Sequence, residues 1–239
     1  MNHNLNDIGV TEFVGTAMGT TIGLVIASAD PVLVEKMKLG RFRSVGIIGG
    51  RSGSGPQAMA LDDAVKATNT ELISFEANTD DSGGPGQGSF IVIGADDVSD
   101  ARRAVEITLD GLNTKYFGDV YANSSGFIEF QYTARAGTVL EKAFGATLGK
   151  SFGLLCCGPA AIGAVVSDTV LKAANVEALG YMSCSGGEGW TFSNELAMTF
   201  TGDSGAVRQA MRAGIEVGKK LLTAFGEKPE SVGGTPYIL

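Results

Sequence analysis

Apolar and polar positions follow one order along the chain, and that order occurs twice. An apolar run over Gly23–Ala27 predicts a strand, Pro31–Leu39 a short helix, and Val45–Ile48 a strongly apolar strand. A helix follows with Pro56 in its first turn, where proline is tolerated, and stops near Asn69. Strands over Glu71–Phe75 and Ser89–Ile93 flank a Gly-rich loop, and a long helix closes the unit. The second pass gives strands at Phe127–Ala134 and Phe152–Cys156 around a helix at Gly137–Phe144. A helix from Pro159 to about Asn175 comes next, then strands Glu177–Tyr181 and Glu195–Phe200 and a final helix. On that helix Val207, Met211, Ile215 and Leu222 share one face with Gly214 and Gly218. Glycine inside a helix costs about 1 kcal/mol against alanine, so two of them predict the close approach of another backbone.

The two passes align residue by residue. At an offset of 106, Asp62, Lys66, Ala67, Asn69 and Glu71 fall on Asp168, Lys172, Ala173, Asn175 and Glu177. Asp97, Arg102 and Ala104 fall on Asp203, Arg208 and Ala210, and Glu35-Lys36 on Glu141-Lys142. Ser44 and Gly46 meet Ser151 and Gly153 after a slip of one. A constant offset over separated blocks is the mark of a tandem repeat. The domains are placed at 12–118 and 119–239, after an N-terminal extension over 1–11 with no counterpart. Each reads as an α+β unit with helices on one face of a mostly antiparallel sheet, the two sheets side by side.

Composition narrows the function. Hydrophobic residues make up 44% and charged residues 18%, which excludes intrinsic disorder. The net charge of −8 opposes phosphate backbones and anionic lipid surfaces, so neither nucleic acid nor a membrane is an expected partner. The longest apolar stretch, Phe152–Val166, falls short of the roughly 20 residues that span a bilayer and contains Pro159. The single histidine, His3, stands in the polar N-terminal stretch, which removes a Ser-His-Asp triad, a Cys-His pair and a multi-His zinc site. Three cysteines, Cys156, Cys157 and Cys184, cannot build an even disulfide framework, and with no signal-peptide pattern at the N-terminus they fit a reducing cytoplasm.

The blocks Val170-Leu-Lys-Ala-Ala-Asn-Val-Glu-Ala-Leu-Gly-Tyr181 and Thr201-Gly-Asp-Ser-Gly-Ala-Val-Arg208 closely resemble the core of bacterial microcompartment (BMC) shell domains. Val65-Lys-Ala-Thr-Asn-Thr-Glu-Leu72 and Ala95-Asp-Asp-Val-Ser-Asp-Ala-Arg102 give a looser version. In each copy a strand and short helix precede this core (Ile22–Asp30; Glu129–Arg135), as in the circularly permuted variant. The tandem layout and Glu12-Phe-Val-Gly-Thr-Ala-Met-Gly19 are most similar to the PduB/EtuB type of trimeric shell protein. The resemblance implies a non-enzymatic building block needing no cofactor. Three chains would supply six domains to a flat pseudo-hexameric tile that packs with other shell proteins around enclosed enzymes. Pores for small polar metabolites, of the diol or alcohol kind, would run within each subunit between its two domains.

The candidate sites follow from that. The loops Glu76–Gly88 and Ser183–Trp190 are rich in small polar residues, which read as flexible hairpin loops when taken alone. The resemblance implies that they approach a pore, with Glu76, Asn78, Ser183, Trp190 and Thr191 lining it and Gln57 reaching in from the preceding loop. Lys66 and Lys172, at matched helix ends, are either tile-edge lysines or ordinary C-terminal lysines answering the helix dipole. Two rivals stay open: a nucleotide or other small molecule on the loop Gly49–Pro56, which follows a strand and opens a helix but lacks a phosphate-loop ending, and an iron–sulfur cluster on Cys184 around a threefold axis. Asp80-Asp81 falls short of a calcium site, and Cys156 and Cys157 read as core thiols. The extension over 1–11 is either a loose tail or a tether for encapsulated enzymes.

Overall fold

In a computed structural model the described residues are 9–78, 88–183, 186–187, 189–190 and 194–238. The first half gives β1 (Phe13–Ala17), β2 (Thr21–Ile26), α1 (Pro31–Lys36), β3 (Ser44–Gly50), α2 (Ser54–Lys66), β4 (Thr70–Asn78), β5 (Gly88–Ala95) and α3 (Val98–Gly111). A π-helical turn at Leu112–Tyr116 leads into the second half. There follow β6 (Val120–Asn123), β7 (Gly126–Thr133), α4 (Thr138–Phe144), β8 (Ser151–Gly158), α5 (Ala160–Ala173) and β9 (Val176–Ser183). Two-residue strands β10 (Gly186–Gly187) and β11 (Gly189–Trp190) come next, then β12 (Leu196–Gly202), α6 (Ser204–Thr223) and β13 (Glu230–Ser231).

The first sheet has the order β1-β2-β3-β5-β4, and the second runs β10-β9-β12-β8-β7-β6-β13 with β11 beside β9. Ladders are antiparallel among the described strands except the short β11 to β9 pair. The inner strands β3, β5, β8 and β12 are the apolar runs that the sequence marks. Strands β1, β6 and β13 were not among the expected elements; they are short strands at the margins of the sheets, whose pairing depends on a neighbour more than on their own pattern.

Each sheet carries two long helices on one face, as expected for an α+β layer. The apolar stripe of α6 packs as its spacing predicts, with Val207, Met211, Ile215, Gly214 and Gly218 buried. What approaches the glycines is side chain rather than backbone. A Cβ on Gly214 would lie 2.8 Å from the Phe130 ring and 2.9 Å from Val170, so the glycine lets α6 settle onto both β7 and α5.

A third apolar cluster joins the halves: Met59 of α2, Phe117 after the π turn and Leu140 of α4 pack with Phe152 and Leu154 of β8. Polar groups lock the same seam. Asp62 of α2 is 1% exposed and accepts from the backbone N–H of Gly137 (2.9 Å), Val139 (3.2 Å) and Leu140 (3.4 Å). It thus caps α4 of the other half, whose own N-cap, Gly137, has no side chain to offer. Lys66 Nζ lies 2.6 Å from Asp62 and donates to the Arg135 carbonyl at 2.6 Å.

The C-terminal segment is ordered onto the second sheet. Asp119 accepts from the Tyr237 and Ile238 N–H groups at 2.8 and 3.0 Å, and Tyr237 Oη donates to Gln131 Oε1.

Candidate functional site

A cavity of about 220 Å³ lies in the seam, between β4 and the start of α2 on one side and the second sheet on the other. Its walls are mostly apolar: Phe75 and Ala77 of β4, Phe144 of α4, Leu154 of β8 and Met182 of β9. Phe75 and Phe144 meet edge to face with centroids 5.8 Å apart. The polar groups are the carboxyls of Glu129, from β7, and Glu195, just before β12, with Ser54 at the mouth of α2.

Strand alternation explains how a glutamate reaches this place. On β7, Ile128, Phe130 and Tyr132 point to the core beneath α6, so Phe127, Glu129 and Gln131 take the opposite face. In an isolated half that face would meet water; here α2 covers it. Glu129 is 2% exposed, and a Cβ on Gly55 would fall 1.9 Å from its Oε1, so the glycine leaves α2 room to lie over the carboxyl in its present position. Glu129 Oε1 has no hydrogen-bond partner among the described residues. Burial, then the nearby charge of Glu195, pushes its carboxyl up to about 8. Cys156 and Cys157 are free thiols, buried as expected, and burial first, then the neighbouring acids, pushes both well above the usual thiol range.

The expected site residues are distributed differently. Gln57 is fully buried inside the first half: its Nε2 donates to Thr21 Oγ1 (2.8 Å) and the Ser52 carbonyl (3.0 Å), and its Oε1 accepts from Ser89 Oγ (2.5 Å). It therefore ties the α2 entry loop to β2 and β5 instead of facing the cavity. Glu76 lies on β4 between the cavity-lining Phe75 and Ala77, so alternation turns it to the exposed face. Ser183 follows cavity-lining Met182 on β9 and is turned away in the same manner. Asn78 ends β4 opposite Gly88, and Trp190 pairs through its backbone with Ser183. Thr191, Cys184, Asp80-Asp81 and residues 1–8, which hold His3 and most of the extension, lie outside the described residues.

Lys66 stands at the seam with its side chain 34% exposed. Lys172, its counterpart, pairs with Asp168, at 2.7 Å, on an exposed surface of the single chain. The Gly49–Pro56 loop has little room for a phosphate at the helix start. Gly53, at φ +83°, takes a left-handed turn beneath Phe117, whose ring would lie 2.4 Å from an added Cβ, and Gln57 fills the space against Gly50. Its glycines serve close packing within the protein. Among the described residues no cluster of three or more His, Cys, Asp or Glu is placed to hold a metal ion, and no helix is long and apolar enough to cross a membrane.

Glu129 and Glu195 were missed by sequence reasoning. The usable signal was an acid in the run Phe127-Ile-Glu-Phe130, on a strand otherwise rich in apolar residues.

Comparison with known proteins places this arrangement. The BMC domain profile matches residues 151–227. The chain is 52% identical over 223 residues, 93% of its length and 82% of the relative's, to bacterial microcompartment shell protein PduB of Citrobacter freundii. The protein of the same description from Limosilactobacillus reuteri is 49% identical over 232 residues, 96% of both chains. A crystal structure of a trimeric PduB superposes with a TM-score of 0.89 at 48% identity, covering 95% of this chain and 99% of that one. EtuB from Clostridium kluyveri gives 0.90 at 47% identity, with the same coverage. By these similarities the chain belongs to the bacterial microcompartment shell proteins, as a structural component of the PduB type.

Proposed function

We propose that three copies of the chain form a flat tile of six domains, and that small neutral metabolites of the diol or alcohol kind, such as 1,2-propanediol or glycerol, pass between the two domains of each copy. The tile reading is supported by the seam. Asp62 and Lys66 of the first domain hold α4 and the Arg135 carbonyl of the second. Asp168 and Lys172 repeat that pair 106 residues later, exposed in the single chain. The same junction, made to α1 of the next copy, would close a ring of alternating domains. Lys172, and Lys66 where it emerges from the seam, would then stand near the tile's rim and meet neighbouring shell proteins.

The single observation that carries the passage reading is the seam cavity: a space of about 220 Å³ with apolar walls and two carboxyls suits a small molecule with both carbon and hydroxyl surface. Strands β4 and β9, which bear Glu76, Asn78 and Ser183, flank it, and β11, which ends at Trp190, pairs with β9. Crystals soaked in glycerol or 1,2-propanediol test this. Density in the seam cavity is expected; density confined to distant surface positions would remove the reading. Residues 1–11, preceding β1, would tether encapsulated enzymes, and deleting them without loss of cargo would exclude that role.

A further inference from the structure

The seam inside the chain has a counterpart whose two sides both lie open. Aligning β8 on β3 by strand register sets Cys156 on Gly49, and their ladder partners follow: Ile22 takes the place of Glu129, and Phe90 that of Ala197. Tyr181 of β9 takes the place of Phe75 of β4 in the same way. At the offset of 106, Ala161 and Val165 of α5 stand for Gly55 and Met59 of α2.

Burial at these paired positions differs sharply. Met59 is 2% exposed and packs in the cluster that joins the halves, whereas Val165 is 48% exposed. Val139, the second residue of α4, is fully buried, and Val32, the second residue of α1, is 64% exposed. Ile22, Phe90 and Tyr181 are also exposed, at 40%, 36% and 42%. Single apolar side chains in water are ordinary, but these fall on two continuous faces. Ile22 and Phe90 both pair with Gly49 and so share one face of the first sheet, the face on which Ile26 and Val92 meet α1. Tyr181 pairs with Met198, which packs beneath α5 and α6, so it lies on the helix side of the second sheet, as α5 and its Val165 do. These are the two kinds of face that the internal seam joins.

We propose that α5 and Tyr181 of a second copy dock on the α1 face of the first sheet, and that Phe90 and Ile22 fill this junction, so that seams between chains are solid where the seam within the chain is hollow. The inference rests on the tile reading above and is independent of the passage reading. The internal cavity lies where β12 presents only the methyl of Ala197 and α2 only the hydrogen of Gly55. Between chains a phenyl ring replaces that methyl, and the methyl of Ala161 replaces that hydrogen. Gly49 gives back the volume of the Cys156 side chain, which is less than the ring takes up. Ile22 leans over the same spot, its Cγ2 lying 3.9 Å from where a Cβ on Gly49 would stand. Ile22 also removes the carboxyl that Glu129 brings to the internal seam, so the face offers carbon surface whose burial against α5 and Tyr181 is favourable. A junction packed in this way, at the density of a protein interior, leaves no space for a solute.

Two measurements on the intact protein test this. Hydroxyl-radical footprinting of the wild type reads the accessibility of Phe90 and Tyr181 in solution, and crystals of the wild type and of Phe90→Ala held under xenon read the space between chains. The expected result, in a sample of trimer mass, is protection of both aromatic residues by about fivefold or more against the urea-unfolded chain. Xenon should enter between chains only in Phe90→Ala, which carries the small side chain that β12 has at Ala197. Should Phe90→Ala fail to assemble, Phe90→Val, which leaves more of the side chain in place, takes over the xenon comparison. Weaker protection in a trimer, xenon between the chains of the wild type, or a trimeric variant with no new xenon site each overturns the inference and leaves the tile standing. A wild type of single-chain mass removes the tile reading as well.

Discussion

Glu129 sets a pH dependence that a surface glutamate would not. Its carboxyl sits higher in the folded chain, at about 8, than the ordinary 4.5, so the folded state binds the extra proton between those values. Stability then falls as pH rises through that window, and the loss is complete above it. Glu129→Gln should remove this slope: its melting temperature should be flatter from pH 5 to 9, with a gain of about 2 kcal/mol over wild type at pH 9. Parallel melting curves for the two proteins would contradict this. Asp62 holds the seam through hydrogen bonds, its carboxylate satisfying three N–H groups of the other domain. Asp62→Ala should cost about 2 kcal/mol in urea unfolding by leaving those donors unpaired. These residues show where sequence reasoning stops. Lys66 reads as a tile-edge or helix C-terminal lysine, and neither spacing nor alternation reveals that a second domain covers Asp62, Lys66 and Glu129.

At the scale of elements, the chain was far more legible. The apolar runs and helical stripes identified the inner strands and long helices to within a few residues, because those elements bury a face in their own domain. The short marginal strands β1, β6 and β13 and the π turn were missed, since what fixes them is pairing with a neighbour or the passage from one domain to the next. The α6 glycines mark a packing constraint that substitution can read. A larger side chain at Gly214 must displace the Phe130 ring or Val170, so Gly214→Val should destabilise by about 3 kcal/mol by chemical denaturation despite removing a helix glycine. An unchanged midpoint would mean that α6 and β7 are looser than the 2.8 Å approach implies.

For the whole molecule, the repeat at an offset of 106 carried the most information, because it gave two like domains and hence a seam whose counterpart, in the proposed tile, lies between chains. Which side chains of β4 and β9 face the seam cavity was harder to read, since a one-residue change of phase moves a side chain to the other face. Lys172 bears on assembly beyond the trimer. Its exposed pair with Asp168 contributes at most about 1 kcal/mol, so Lys172→Ala should leave trimers intact while weakening extended sheets seen by electron microscopy. Unchanged sheets would remove it from the tile edge. The most direct test is the solution mass by light scattering behind a sizing column. Three chains of 24.6 kDa, about 74 kDa, are expected for the six-domain tile. A clean monomer of 24.6 kDa would contradict the closed ring and the second, intermolecular seam on which the tile depends.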